Sequence, residues 1–177
     1  MIKLKAAELR LSQVSEDEKK NLVRNPIYII ADNVLDTYNI GSIFRLADAV
    51  SATKVYLCGG SETPPHTRIK KASINTTEWV TWSYTPTAVD AIQEIKNENP
   101  KVKIVSVEQS DNSVPYDTID YSFPIAIIVG HETTGITKEA MDASDYVVDL
   151  PMWGVNTSLN VVVSLGIVLY EAVRKLK

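Results

Sequence analysis

Short apolar runs alternate with helical patterns along the chain, and this alternation predicts the fold class. After Pro26, residues 27–31 are apolar at every position, which is typical of a parallel strand buried on both faces. Similar runs follow at residues 55–57, 102–107, 125–129 and 146–150, and residues 78–84 alternate like a less buried strand. Helical patterns lie between them at residues 40–50, 87–97 and 137–143. The alternation predicts a single α/β domain with a mostly parallel sheet.

The two ends of the chain carry helical signals of different kinds. Ser15 and Glu18 form the spacing of a capping box, which predicts a short helix before the first strand. We therefore divide the chain into an N-terminal helical extension, residues 1–24, and a main domain, residues 25–177.

Residues 159–177 are apolar around nearly the whole helical circumference until Glu171. A surface helix shows only an apolar stripe, so this helix belongs either to the core or to a subunit interface. We predict a homodimer through this C-terminal helix.

Composition narrows the class of protein. The 177 residues are 45% hydrophobic and 23% charged, which fits one globular domain. A lone cysteine, Cys58, excludes an internal disulfide and a cysteine zinc cluster, and two histidines leave little for a histidine metal site. No apolar run approaches the roughly 18–20 residues of a membrane span, and the first twenty residues lack a signal peptide pattern. We expect a cytoplasmic protein without metal or membrane.

Charge is unevenly distributed. The net charge of −4 argues against a protein that binds nucleic acid over its whole surface. Residues 107–150 hold nine acidic residues and a single basic one, Lys138. The densest basic stretch contains Arg68, Lys70 and Lys71, which either contact RNA phosphates or lie in a solvated loop.

Common catalytic motifs are missing. No Gly-x-Gly-x-x-Gly follows the first predicted strand, no P-loop lysine is present, and no serine hydrolase elbow occurs. Three other polar clusters each follow a predicted strand, where open α/β sheets bind their ligands.

Each cluster alone also has a plain structural interpretation. Residues 39–45 fit a helix cap at Asn39 with a surface arginine, and residues 130–135 fit a simple turn. Residues 150–160 lead into the apolar C-terminal helix, where burial of Ser158 and Asn160 would require hydrogen bonds. Capping would account for Ser158 but not for Asn160.

Together, the three clusters resemble the motifs of the SpoU (TrmH) family of RNA 2′-O-ribose methyltransferases, in the SPOUT superfamily. The matching residues are Asn39-x-Gly41-x-x-x-Arg45, Gly130-x-Glu132-x-x-Gly135 and Pro151-Met152-x-Gly154-x-x-x-Ser158-Leu159-Asn160-Val161. The resemblance extends over roughly residues 25–175. Two positions depart from the family pattern: His131 replaces a usual asparagine, and Leu46 replaces a common small hydroxyl residue.

The resemblance implies a parallel α/β sheet whose C-terminal part forms a deep trefoil knot, in a homodimer that binds S-adenosylmethionine. The catalytic residues that it implies are Asn39, Arg45, Glu132, Ser158 and Asn160. The cofactor-binding residues that it implies are Val107, Gly130, Leu150, Met152, Ser158 and Leu159.

Arg45 is the candidate residue for stabilising the negative charge that develops on the ribose oxygen during methyl transfer. An arginine guanidinium has a high pKa and rarely loses its proton. We therefore favour a role in which the planar guanidinium of Arg45 binds the ribose hydroxyl and a phosphate, rather than a role as general base. Glu132 would pair with or orient Arg45 and Asn39, with Ser158 and Asn160 holding the network.

The predicted function is S-adenosylmethionine-dependent methylation of a ribose 2′-hydroxyl in RNA. We favour tRNA over rRNA because the short chain has no room for a separate RNA-binding domain. The alternative is a noncatalytic RNA-binding or dimer-scaffold protein that retains the fold. Methylation of a base or a protein is disfavoured, because the site centres on an arginine that suits a hydroxyl.

Overall fold

The predicted apolar runs lie in one seven-stranded sheet. The computed structural model describes residues 3–176. The strands are β1 (Asn25–Asp32), β2 (Ala52–Cys58), β3 (Trp82–Thr85), β4 (Lys103–Val107), β5 (Val114–Pro115), β6 (Ile125–Val129) and β7 (Tyr146–Asp149). Their order is β3-β2-β1-β6-β4-β7-β5, and every pairing between these strands is parallel. The predicted parallel α/β sheet is confirmed.

Helices cover both faces of the sheet. They are α1 (Ala6–Leu11), α2 (Glu16–Lys20), α3 (Thr37–Ala49), α4 (Thr67–Ser73), α5 (Ala88–Glu98), α6 (Lys138–Asp142) and α7 (Val161–Arg174). On β1, Ile27 and Ile29 belong to the core shared with α3 and α7, whereas Tyr28 and Ile30 belong to the core shared with α5. Successive strand residues point to opposite faces, so a strand covered on both sides must be apolar throughout.

Most predicted elements are confirmed to within a few residues, and the exceptions depend on tertiary contacts. The strand predicted over residues 78–84 is wrong in its first half, because residues Thr76–Glu78 form a 3₁₀ turn and β3 begins at Trp82. There the Trp79 ring is buried, and its Nε1 donates to Ser12 Oγ at 3.1 Å. Three elements, α1, α4 and β5, were not predicted from the sequence.

The helix α4 packs closely on α3 at Gly41. A Cβ at Gly41 would lie 2.5 Å from Ala72 Cβ and 2.8 Å from the Ile69 carbonyl oxygen. A real Cβ does not approach so closely, so only glycine allows this crossing. Gly41, which belongs to the first polar cluster, therefore allows α4 to pack directly on α3.

The N-terminal segment is tied to the main domain, since Asn75 Nδ2 donates to the Leu9 carbonyl at 3.1 Å and to the Ser12 carbonyl at 3.0 Å. The capping box is confirmed, since Ser15 Oγ accepts from Glu18 N–H at 3.2 Å and the Glu18 carboxylate accepts from Ser15 N–H at 2.9 Å. The predicted division at residue 25 stays a prediction.

The helix α7 buries only one side in the described chain. Leu165 and Val168 are fully buried in the core, but Val163 is 49% exposed and Tyr170 is 57% exposed. No helix within residues 3–176 is both long and apolar enough to cross a membrane. The trefoil knot implied by the resemblance stays a prediction.

Candidate functional site

A cavity of about 530 Å³ lies at the carboxyl ends of β4, β6 and β7. Ligands of open α/β sheets bind at this edge, because parallel strands bring all their following loops together there. The six residues predicted to bind the cofactor all line this cavity: Val107, Gly130, Leu150, Met152, Ser158 and Leu159. The structure thus brings together three segments that are far apart in sequence.

The loop after β6 folds back on itself at two glycines. His131 and Gly135 exchange backbone hydrogen bonds of 3.1 and 2.9 Å. A Cβ at Gly130 would lie 2.3 Å from the Ile136 nitrogen and from the Gly135 carbonyl carbon. Gly135 adopts φ +73, a conformation that favours glycine. Both glycines are therefore required by backbone geometry.

Glu132 joins this loop to the start of α3. Its Oε1 accepts from Asn39 Nδ2 at 2.9 Å and from Asp36 N–H at 3.2 Å, and its Oε2 accepts from Leu35 N–H at 3.3 Å. Burial favours the neutral acid, but these hydrogen bonds outweigh it and lower the pKa of Glu132. Glu132 is therefore a carboxylate at neutral pH.

The third cluster joins the same network. Asn160 Nδ2 donates to Asn39 Oδ1 at 3.2 Å, so Asn39 lies between Glu132 and Asn160. Glu132, Ser158 and Asn160 line the cavity, and Asn39 contacts two of them from outside the lining. Four of the five predicted catalytic residues therefore lie in or beside the cavity.

Asn39 and Ser158 do not have the capping roles that the plain structural interpretation gave them. The N-cap of α3 is Asp36, whose Oδ1 accepts from Tyr38 N–H at 2.7 Å, so Asn39 is free to bind Glu132. The N-cap of α7 is Asn160, whose Oδ1 accepts from Val162 N–H at 2.9 Å, so Ser158 is not the cap.

The two polar residues of the third cluster are not buried. Ser158 and Asn160 are both exposed in the described chain, because the loop before α7 lies on the surface. Their side chains are accessible to a ligand.

Arg45 lies apart from this network. It is exposed on α3, does not line the cavity, and makes no side-chain hydrogen bond or ion pair with residues 3–176. Glu132 contacts Asn39 but not Arg45, so the expected Glu132–Arg45 pair is not present. The Arg45 guanidinium is free to bind a substrate.

Two carboxylates that are buried or half-buried hold the end of the loop after β6. No role for either residue was predicted from the sequence. Asp32 Oδ2 accepts from Thr137 N–H at 2.8 Å and from Thr137 Oγ1 at 2.7 Å. Glu108 Oε2 accepts from Ile136 N–H at 2.9 Å. Their position in the sequence could have indicated a role, because Asp32 is the last residue of β1 and Glu108 directly follows β4.

The basic stretch forms the helix α4 rather than a loop. Arg68, Lys70 and Lys71 are exposed on α4, while Ile69 is buried against the core. Packing at Gly41 places these cations on the helix next to α3, which carries Arg45.

The model of the SpoU rRNA Methylase family matches residues 26–170. The chain belongs to this family. Two SpoU-family relatives are tRNA (guanosine(18)-2′-O)-methyltransferases. The protein of Aquifex aeolicus is 34% identical over 94% of this chain and 75% of its own. The protein of Escherichia coli K12 is 33% identical over 83% of this chain and 62% of its own.

A solved methyltransferase structure has the same fold. The AdoMet-bound rRNA methyltransferase from Sinorhizobium meliloti matches this chain with a TM-score of 0.79 at 29% sequence identity. The superposition covers 88% of this chain and 58% of that chain. The chain thus spans about three fifths of the E. coli and S. meliloti proteins.

The two departures from the SpoU pattern have structural explanations. His131 Nδ1 accepts from Thr133 N–H at 2.9 Å and from Thr134 N–H at 3.2 Å, as an asparagine oxygen does in a tight turn. Leu46 is half-buried and packs toward α7 at Gly166, where no side chain opposes it. Neither replacement disrupts the cavity.

Proposed function

We propose that this protein is an S-adenosylmethionine-dependent RNA 2′-O-ribose methyltransferase that acts on tRNA in preference to rRNA. The observation that carries the proposal is the cavity lined by all six predicted cofactor residues, with the Glu132–Asn39–Asn160 network beside it. Family membership and the tRNA-modifying relatives support the same activity. A cytoplasmic location is part of the proposal, because tRNA is modified there.

The cavity suits the proposed cofactor. Its volume of about 530 Å³ falls within the range of roughly 300–1,000 Å³ typical of small-molecule sites. Val107, Leu150, Met152 and Leu159 provide apolar walls for the adenine ring. Gly130 leaves the adjacent backbone open to close approach, because no side chain fits there.

The protein's residues align the acceptor and stabilise its charge. S-adenosylmethionine, when bound, would supply an electrophilic methyl group for the ribose 2′-oxygen, with S-adenosylhomocysteine as the leaving group. Ser158 and Asn160 are exposed beside the cavity and hold the ribose. The Arg45 guanidinium binds the developing alkoxide and an adjacent phosphate, so the ribose 2′-hydroxyl must lie between Arg45 and the mouth of the cavity. The hydroxyl proton passes to water.

Methyl transfer to total tRNA tests the proposal. The protein is incubated with methyl-labelled S-adenosylmethionine and either tRNA or rRNA, and labelled nucleosides are then mapped, beginning with guanosine 18. We expect label in a 2′-O-methylated nucleoside of tRNA. Absence of label together with absence of cofactor binding in calorimetry would instead support a noncatalytic scaffold.

We also propose a homodimer through α7. Val163 and Tyr170 are large apolar side chains on its exposed side, and burying each would stabilise association by roughly 1.5–3 kcal/mol. Val163→Glu should therefore convert the dimer to monomer without unfolding it. Light scattering coupled to size exclusion measures the mass, and Leu11→Glu, at an exposed leucine on α1, is the control. A monomeric wild type at high concentration would contradict the dimer.

The cations of α4 should contact RNA phosphates. Replacing Arg68, Lys70 and Lys71 by alanine should weaken RNA binding and reduce the slope of log affinity against log salt by about 0.7–0.9 per lost contact. Cofactor affinity should not change, because none of the three lines the cavity.

A matched triple variant replaces Arg10, Lys20 and Lys101 by alanine, since these three cations are exposed and do not line the cavity. It changes the net charge equally and should leave the salt slope near the wild-type value. Equal slopes for both triple variants would show that α4 makes no phosphate contact.

A further inference from the structure

The cavity wall is acidic. Glu108, Glu132 and Asp149 line it, and no lysine or arginine of residues 3–176 does so. All three belong to the segment of residues 107–150 that is rich in acids. Low-dielectric walls concentrate the field of such charges, so the cavity favours a ligand with positive charge.

Two of these carboxylates already bind protein donors. Glu132 accepts from Asn39 and from two backbone N–H groups, and Glu108 accepts from Ile136 N–H at 2.9 Å and Gln109 N–H at 3.0 Å. The Asp149 side chain is half-buried and makes no hydrogen bond or ion pair within the described chain. Asp149 is therefore the carboxylate of the wall that remains available to a ligand.

The sheet register places Asp149 beside Glu108. Val107 pairs with Val148 in the parallel β4–β7 ladder, and Glu108 N–H donates to the Val148 carbonyl at 3.0 Å. The next residues of the two strands are thus neighbours at the cavity. Neither acid has an ion-pair partner in residues 3–176. A cationic ligand in the cavity would supply one.

We propose that Asp149, beside Glu108, makes the cavity bind the cationic methyl donor more tightly than its neutral demethylated product. This inference rests on the proposed function. S-adenosylmethionine carries sulfonium and ammonium charges against one carboxylate, whereas S-adenosylhomocysteine has no sulfonium charge. Attraction to an unpaired carboxylate is therefore stronger for the donor than for the product. The preference favours product release after each transfer.

Calorimetry of the protein, residues 1–177, with three ligands tests the proposal. The ligands are S-adenosylmethionine, S-adenosylhomocysteine and sinefungin, an analogue with a charged amine in place of the sulfonium group. Asp149→Asn should weaken both cationic ligands about fivefold to tenfold, and should change the neutral product by less than about twofold. In the wild type, added salt should narrow the difference between donor and product, because ions screen the carboxylate.

Two control variants separate charge from shape. Asp149→Glu keeps the charge and should keep the preference, and Asp117→Asn removes an exposed carboxylate outside the cavity and should change nothing. Equal weakening of all three ligands by Asp149→Asn, or no weakening, overturns the proposal. If the wild type binds none of the three ligands, the proposed function itself fails. Wild-type binding without a charge-dependent effect of Asp149→Asn overturns this inference alone.

Discussion

Arg45→Ala should lower methyl transfer to RNA by about 100-fold to 1,000-fold, the range expected for loss of one donor to a developing oxyanion. The side chain is exposed and makes no side-chain hydrogen bond or ion pair with residues 3–176. Its removal therefore breaks no hydrogen bond or ion pair of the described chain, and folding and cofactor affinity should remain normal. Single-turnover transfer to tRNA measures the loss.

Arg45→Lys separates geometry from charge. Lysine retains the positive charge but lacks the planar two-donor fork, so it should restore little activity if the fork aligns the ribose and phosphate. Thermal melts of both variants provide the folding control. Near-normal turnover of well-folded Arg45→Ala would contradict the mechanism, while leaving the fold and the family unaffected.

Gly130→Ala should destabilise the protein by about 1–3 kcal/mol or more and abolish measurable cofactor binding. The added Cβ would lie 2.3 Å from backbone atoms of Gly135 and Ile136, and backbone cannot move aside as a flexible side chain can. Ile136 is itself held by Glu108, and Thr137 by Asp32. Denaturant unfolding and calorimetry with S-adenosylmethionine measure the two effects.

Gly154→Ala is the matched control for this substitution. Gly154 lies in the loop before α7, and a Cβ there meets no atom within 4 Å. This variant should fold and bind the cofactor as the wild type does. Wild-type stability of Gly130→Ala would show that the loop after β6 relaxes, and would contradict the close crossing.

The parallel sheet and the edge at which the cavity lies could both be predicted from the pattern of apolar runs and polar clusters. Strands buried on both faces need unbroken apolar runs, so residues 125–129 could be identified from their pattern alone. The polar clusters that follow these strands must meet at one edge, because the strands are parallel. The individual cofactor-binding residues, in contrast, were implied only by the resemblance to the family motifs.

The hydrogen-bond partners of the polar side chains could be seen only in the tertiary structure. Asn39 binds Glu132 across 93 residues and Asn160 across 121, and Asp36 takes the capping position that sequence assigned to Asn39. The short helix α4 forms against Gly41, a contact that local pattern does not contain. The periodicity of apolar residues shows which positions of a helix or strand are buried, and it can be seen within a short stretch of sequence. Hydrogen-bond partners depend on which distant backbone segments meet, and several side chains of equal local propensity compete for each donor.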